Sequence, residues 1–392
     1  MKKFVSVNEL SFGVYVTQLD RPWTETPFVF QGFLLNSEAQ LATLHKFCNS
    51  VYIDTEKGAD LKTTLAGAGA GTFSVLQSIR QKVTYEEKIE VNVELPAARQ
   101  AHIKTTAVLT DVFGSIQSGK ALDAPRIKGA VASMTESVVR NPDAMLLLAR
   151  MKEKDAKTLD RAMSVSIYMI TFGRFLSLPR EQLHVLGLLG LLQDVGKLRL
   201  PDELLYKTDP LSPLEIAVCK KHLQHSIAIL KETTGLPEEL PALAALHHER
   251  VDGSGYPIGL KGPQIGLVGC IAGLVDSFDA MTESKPYGET MPPARALKLL
   301  YDERNTKYDG PLVEQFIQCI GTYPVGAIVE LHSGEIGIVI ARNPRMKLYP
   351  RVMVIYDVHK KPLNATKIIQ EAGIKRTLPK GSVEIDTAKY FL

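Results

Sequence analysis

The chain has 392 residues, 45% of them hydrophobic and 23% charged, which is ordinary for two or three globular domains, each able to bury its own core. A formal net charge of +3, with no dense Lys/Arg tract, argues against a protein that coats DNA or RNA. Cys48, Cys219, Cys270 and Cys319 are far apart and form no Cys-x-x-Cys pair, so neither a zinc knuckle nor a disulfide framework is expected.

Met1-Lys2-Lys3-Phe4 runs straight into polar residues with no signal-peptide core. The apolar runs near Leu183–Leu192 and Ile265–Val275 are shorter than the ~20 residues of a membrane span. A reduced, cytoplasmic protein without a membrane span is the simplest expectation. Residues 1–57 form a small module. Val5, Val7, Phe12, Val14, Tyr15 and Val16 predict short strands, Phe28–Leu35 a further apolar segment, Ser37–Gln40 the start of a helix to Cys48, and Val51–Ile53 a strand. Residues 58–95 begin with a Gly/Ala/Thr/Ser-rich stretch and are expected to be a flexible linker.

From Pro96 the pattern turns helical, with Pro96 suited to a first helical position and a helix expected to Ile116. Further helices are expected near 125–139, 143–152, 158–176, 181–195, 213–231, 238–248, 265–281 and 292–303. That is an all-helical bundle over 96–322. Over 323–392, two apolar runs flank His332-Ser333-Gly334 as a hairpin. Val352–Tyr356 adds a strand and Ser382–Ile385 another, giving a small C-terminal β module of barrel or half-barrel form. The fold class is thus mainly α, with a small α+β module before the bundle and a small β module after it.

The most informative stretch is 247–263. His247 and His248 close the apolar run Leu240–Leu246, and a loop containing Asp252 ends in Gly255-Tyr256-Pro257. Adjacent histidines on one helical turn diverge by about 100°, so both reach one metal only where the helix end meets a pocket. Glycines there let backbone approach a bulky ligand, and Pro257 stiffens the exit. Asp194 and Asp276 each place a carboxylate in a strongly apolar helix, which is costly without a metal or a cation.

The loop, with the order of these acids and histidines, resembles the signature of HD-GYP domains, metal-dependent phosphohydrolases that cleave cyclic di-GMP. The first 57 residues resemble the small domain often found ahead of them. The resemblance implies metal ligation by Asp194, His222, His247, His248 and Asp276, with Asp194 bridging and Lys197 facing phosphate. It also implies substrate contacts from Lys197, Asp252, Gly255, Tyr256, Pro257, Lys285 and Tyr287. His225 and Asp279 fall outside the motif and are expected to be structural, and Arg250 and Lys261 to be solvated charges.

Two ligand positions depart from the family pattern. The first histidine of the HD pair is Gln193, a weak neutral ligand. An earlier ligand histidine is Arg161, which cannot deprotonate and so cannot ligate. A nearby acid of some members is Lys157, and Lys285 stands where an arginine is usual. Asp194, His222, His247 and His248 keep one complete site. The expectation is one divalent ion, iron or manganese, or none at all with an Arg161–Asp276 ion pair instead.

The functional expectation is a cyclic di-GMP phosphodiesterase-family protein in cyclic dinucleotide signalling, with turnover to the linear dinucleotide or GMP impaired. The alternative is a catalytically silent regulator that binds a nucleotide or a protein. Cyclic di-GMP or a related cyclic dinucleotide is the expected ligand. Both terminal modules offer places for a signalling partner, and bundles of this size commonly form homodimers.

Overall fold

The computed structural model describes residues 2–10, 12–21, 26, 28, 32–35, 38–57, 79, 81–87, 89–150, 157–205, 207, 209–283, 291–343, 346–379 and 382–383. It divides the chain into one unit of Met1–Thr72 with Asn343–Pro350 and a second of Phe73–Arg342 with Arg351–Leu392.

In the first unit, β1 (Lys2–Ser6), β2 (Tyr15–Leu19), β3 (Phe33–Leu34) and β4 (Ser50–Asp54) form an antiparallel sheet in the order β1-β4-β2-β3, with α1 (Glu38–Phe47) between β3 and β4. Strand alternation sends Val5, Val16, Val51 and Ile53 into one core with Leu35 and Leu44. On the other face Phe4 and Tyr52 are cross-strand partners, their rings 4.7 Å apart. Asp20 accepts hydrogen bonds from the backbone of Asn49 (2.7 Å) and Ser50 (3.1 Å) and so fixes where β4 begins.

The second unit begins differently from the sequence expectation. Residues 81–87 are extended and pinned to the bundle, Val83 N–H donating to the Ser177 carbonyl (2.8 Å) and the Tyr85 hydroxyl to that of Leu178 (2.7 Å). Helix α2 (Val91–Gln117) starts five residues before Pro96. Pro96 and Asn92 are both exposed, so water can satisfy the carbonyl that a proline N–H would have served. The buried face of α2 repeats at three- and four-residue steps through Val91, Glu94, Ala98, Ala101, Thr105, Val108, Val112 and Ile116. Glu94 holds α3 (Ala124–Arg140) through two 2.7 Å bonds from Arg140 and one of 2.8 Å from Ser137.

After α4 (Pro142–Arg150), helices α5 (Lys157–Phe175) and α6 (Arg180–Leu192) form a close antiparallel hairpin. A side chain at Gly190 would lie 2.4 Å from the Ser166 Cα, so only glycine permits this spacing. The hairpin register brings the C-terminal end of α6, with Gln193 and Asp194, to the start of α5, with Arg161. Phe172 of α5, Phe278 of α11 (Gly266–Thr282) and Phe316 of α13 (Gly310–Ile320) meet edge to face at 5.0 and 5.3 Å. By length and composition Gly262–Thr282 could cross a membrane, which the shorter apolar run read from the sequence did not reach. Its stretch from Gly269 to Val275 is buried in this bundle.

Two expected helices are broken. Residues 213–231 divide into α8 (Pro213–Cys219) and α9 (His222–Glu232), preceded by the short α7 (Asp202–Leu205). Residues 238–248 yield only α10 (Leu240–Ala244). At both breaks a histidine ring hydrogen-bonds to the carbonyl three residues earlier, His222 to Cys219 (2.7 Å) and His247 to Ala244 (2.8 Å). Helix α12 (Pro293–Asp302) follows, and then α13, which the sequence reading missed.

The C-terminal strands β5 (Ile328–Leu331), β6 (Ile336–Ala341), β7 (Arg351–Tyr356), β8 (Pro362–Ile369) and β9 (Ile374–Leu378) form one antiparallel sheet, ordered β8-β7-β6-β5-β9. The hairpin at 332–334 is present. Ser382 and Val383 are not in a strand, and 384–385 lie outside the described residues. With β8 and β9 at its edges, the ladder among the described residues is open rather than closed into a barrel. Arg342, just after β6, joins this sheet to the bundle by a 2.6 Å ion pair with Asp143 and a 2.7 Å bond to the Cys319 carbonyl.

Glu314 on α13 is pushed up to about 7 by burial, against the pull of Arg304 3.9 Å away. Its folded value lies above the usual 4.5, so stability is fully present below that pH and is lost as pH rises through about 7. Glu314→Gln is expected to remove this slope. It should raise stability at pH 8 by on the order of 1–3 kcal/mol and not at pH 4, as read by urea denaturation at both.

Candidate metal centre

Asp194, His222, His247 and His248 converge from three segments of the second unit, each residue offering one ligand atom, all within 4.8 Å of one another. Asp194 follows α6, His222 opens α9, and His247 and His248 lie just past α10. Gly196 allows this convergence. A Cβ there would sit 2.1 Å from the His222 carbonyl oxygen and 2.3 Å from the Ser226 nitrogen, and Gly196 N–H donates to the Ser226 hydroxyl (2.8 Å).

The hydrogen bonds fix the protonation pattern. A carbonyl can only accept, so His222 and His247 each carry their proton on Nδ1, and Nε2 is left with a lone pair. Those Nε2 atoms face Asp194 Oδ1 at 3.4 and 3.6 Å. All three atoms are buried, and none makes a hydrogen bond among the described residues. Three lone-pair-bearing atoms turned toward one another are unfavourable alone and suit a divalent cation. The carbonyl behind each histidine is the outer support that metal-binding imidazoles commonly have. The donor set therefore fits a metal.

The charges agree with this pattern. Burial works to raise the Asp194 carboxyl, but the Lys197 ammonium holds it well below the usual range. Lys197 Nζ donates to Asp194 Oδ2 at 2.7 Å, so the second oxygen is the one turned to the histidines. Burial lowers His222 despite Asp194, and burial with His247 pushes His248 down to about 2, so both are neutral ligands near pH 7.

Next to this centre, Arg161 forms the ion pair with Asp276, Nη2 to Oδ1 at 2.7 Å. The same guanidinium lies 3.3 Å from Glu283, 3.5 Å from Asp279 and 3.9 Å from Asp194. Burial disfavours its charge, yet these acids hold it protonated, and Arg161 in turn lowers the Asp276 carboxyl against burial. Sequence order gave the pairing with Asp276. It did not give Glu283, or the approach of Asp279, because both depend on how α5 and α11 cross. Gln193 is 1% exposed, and neither atom of its amide is hydrogen-bonded among the described residues.

The loop after His248 is organised by a residue the sequence reading passed over. Glu249, 4% exposed, accepts hydrogen bonds from the backbone N–H groups of Ile258 (2.8 Å), Gly259 (3.0 and 3.2 Å) and Leu260 (2.9 Å). Arg250 is not a solvated charge. It donates to the carbonyls of His247 (3.1 Å) and Glu249 (2.8 Å) and to Ser277 (3.3 Å), tying the histidine turn to α11. Gly255 has no room for a side chain, since a Cβ would lie 2.4 Å from the Arg250 nitrogen. Tyr256 precedes Pro257 through a cis peptide, and its ring stacks on His248 at 4.6 Å and 19°. Asp252 accepts from Ser254 N–H (2.8 Å), and its backbone forms an isolated antiparallel β-bridge with that of Lys261 across the loop. His225 N–H donates to the Lys221 carbonyl (3.1 Å). Lys285, Tyr287 and the Lys157 side chain lie outside the described residues.

The matches to known proteins follow this geometry. Residues 145–312 match the HD domain, and residues 2–127 match a domain of unknown function (DUF3391), a span that runs past the N-terminal module into α3. A cyclic di-GMP phosphodiesterase of Pseudomonas aeruginosa is 32% identical over 363 residues, covering 92% of this chain and 87% of that one. The cyclic di-GMP phosphodiesterase response regulator RpfG of Xanthomonas campestris is 33% identical over 190 residues, 48% of this chain and 50% of the relative. A 3'3'-cGAMP-specific phosphodiesterase of Vibrio cholerae is 29% identical over 155 residues, 39% of this chain and 30% of the relative. The fold and the histidine–aspartate centre are those of an HD-domain protein. Within that class, the chain belongs to the HD-GYP family of cyclic di-GMP phosphodiesterases.

Removing Arg161 would leave Asp276 buried beside other carboxylates with no counter-charge. Arg161→Ala is expected to cost about 3–5 kcal/mol in urea denaturation with EDTA present. Arg161→Lys should recover only part, because an ammonium lacks the guanidinium's five-donor fork.

Proposed function

We propose that the chain binds a cyclic dinucleotide, cyclic di-GMP first, and hydrolyses it slowly with one divalent ion, iron or manganese. The ion would be held by Asp194, His222, His247 and His248. The observation that carries this reading is the Arg161 guanidinium, 2.7 Å from Asp276, where the family resemblance calls for a second ion and its histidine. A bound metal would lower the pKa of a coordinated water and polarise a phosphate oxygen.

The chain's own residues prepare that chemistry unevenly. Lys197 fixes Asp194 through one of its three N–H donors, and the other two can hold a phosphate oxygen. Arg161 supplies positive charge at the neighbouring position, but its charge is already balanced by Asp276, Asp279 and Glu283. An immobile, neutralised cation cannot ligate the attacking or leaving oxygen. Loss of that contribution corresponds to a rate lower by on the order of 10³-fold than with two ions. The four free cysteines, three of them buried, support a reducing, cytoplasmic setting.

The test is anaerobic turnover of cyclic di-GMP by the full chain loaded with iron(II) or manganese(II), with metal counted by mass spectrometry and products separated by chromatography. About one tightly held ion per chain and slow formation of linear dinucleotide are expected. Gln193→His with Arg161→His should raise the metal content toward two and the rate by about 10³-fold. Two ions in the unmodified chain would overturn the single-metal reading. No product from the unmodified chain, with product from the repaired one, would make the protein a silent regulator.

A further inference from the structure

Among the three histidines of the centre, only His248 lacks a hydrogen-bonded partner behind its ring. His222 and His247 are each oriented by a backbone carbonyl on Nδ1. Neither ring nitrogen of His248 makes a hydrogen bond among the described residues, and a ring on a broad, roughly two-fold torsion needs some other restraint to present one nitrogen consistently.

That restraint is aromatic. The Tyr256 ring lies nearly parallel to the imidazole at 4.6 Å and 19°, and the Lys220 ammonium sits 4.5 Å from the centroid of the same tyrosine ring. The loop keeps this arrangement closed. Tyr256 N–H donates to the His248 carbonyl (3.2 Å), Gly255 packs without a side chain against the backbone of 248–250, and Glu249 gathers the N–H groups of 258–260 on the far side.

We propose that Tyr256 is a positioning residue for the metal ligand His248, its ring doing for that imidazole what a carbonyl does for His222 and His247. This rests on the reading that the four-residue centre holds a divalent ion. Metal occupancy and loop conformation are then linked. An ion that uses His248 stabilises the stacked loop, and a ligand that draws Tyr256 away loosens the ion by the same factor.

The experiment measures manganese(II) affinity of the full chain by competition with a fluorescent chelator, with a thermal melt of the metal-free protein as the folding control. Tyr256→Ala and Tyr256→Leu are each expected to weaken binding by about 10–100-fold, the usual effect of losing an outer partner of a ligand histidine. Tyr256→Phe keeps the ring and should stay within about two-fold of the unmodified chain. Manganese should also slow amide exchange over 249–262 in the unmodified chain and much less in Tyr256→Leu. If Tyr256→Ala fails the melt, Tyr256→Leu decides. Unchanged affinity on loss of the ring overturns the proposal alone, and so does a Tyr256→Phe loss as large as that of Tyr256→Leu. An unmodified chain that takes up no manganese overturns the metal reading and this proposal together.

Discussion

The architecture around the centre depends on how one carboxylate divides its two oxygens. Asp194 gives Oδ2 to Lys197 and turns Oδ1 to the Nε2 atoms of His222 and His247. That division requires three segments to crowd one helix end. The missing side chains of Gly190 and Gly196 make the crowding feasible, the first against α5 and the second against α9. A larger residue at either glycine would push apart the elements that carry the ligands. Close helix packing and ligand geometry are thus one constraint.

Arg161 is the counter-charge for the acids packed beside the centre. A cluster of buried acids has a large unfavourable self-energy unless a cation offsets it. A metal ion does so with open coordination positions, whereas a guanidinium does so with fixed N–H donors and none to spare. Arg161 therefore ties α5 to α11 and offers its acids no open coordination position. Gln193 stands beside this cluster, buried, with neither amide atom hydrogen-bonded among the described residues.

What the sequence reveals depends on whether the cause is local. The stretch from His247 to Pro263 is contiguous, so its residue types carry their meaning in order, and the bundle announces itself by periodic apolar positions. The breaks at 220–221 and after Ala244 are different. Each coincides with a histidine ring bonded to a carbonyl, a contact that neither propensity nor periodicity encodes. Strand β8 was missed because most of its residues are exposed, leaving no alternation to read, and β9 because only Ile374 is buried. Glu283 and Asp279 meet Arg161 through a helix crossing more than a hundred residues away along the chain. The carboxylate of Glu249 is invisible as an organiser until the three N–H groups that converge on it are seen together.

That convergence changes what the loop can offer a ligand. Successive backbone N–H groups gathered into a concave nest are a common way for proteins to seize a phosphate. Here the nest formed by Ile258, Gly259 and Leu260 already holds an anion, and the anion is part of the chain. A dinucleotide phosphate arriving at this loop finds those donors occupied. Gly255, with no room for a side chain against the backbone of 248–250, therefore serves the loop's internal closure.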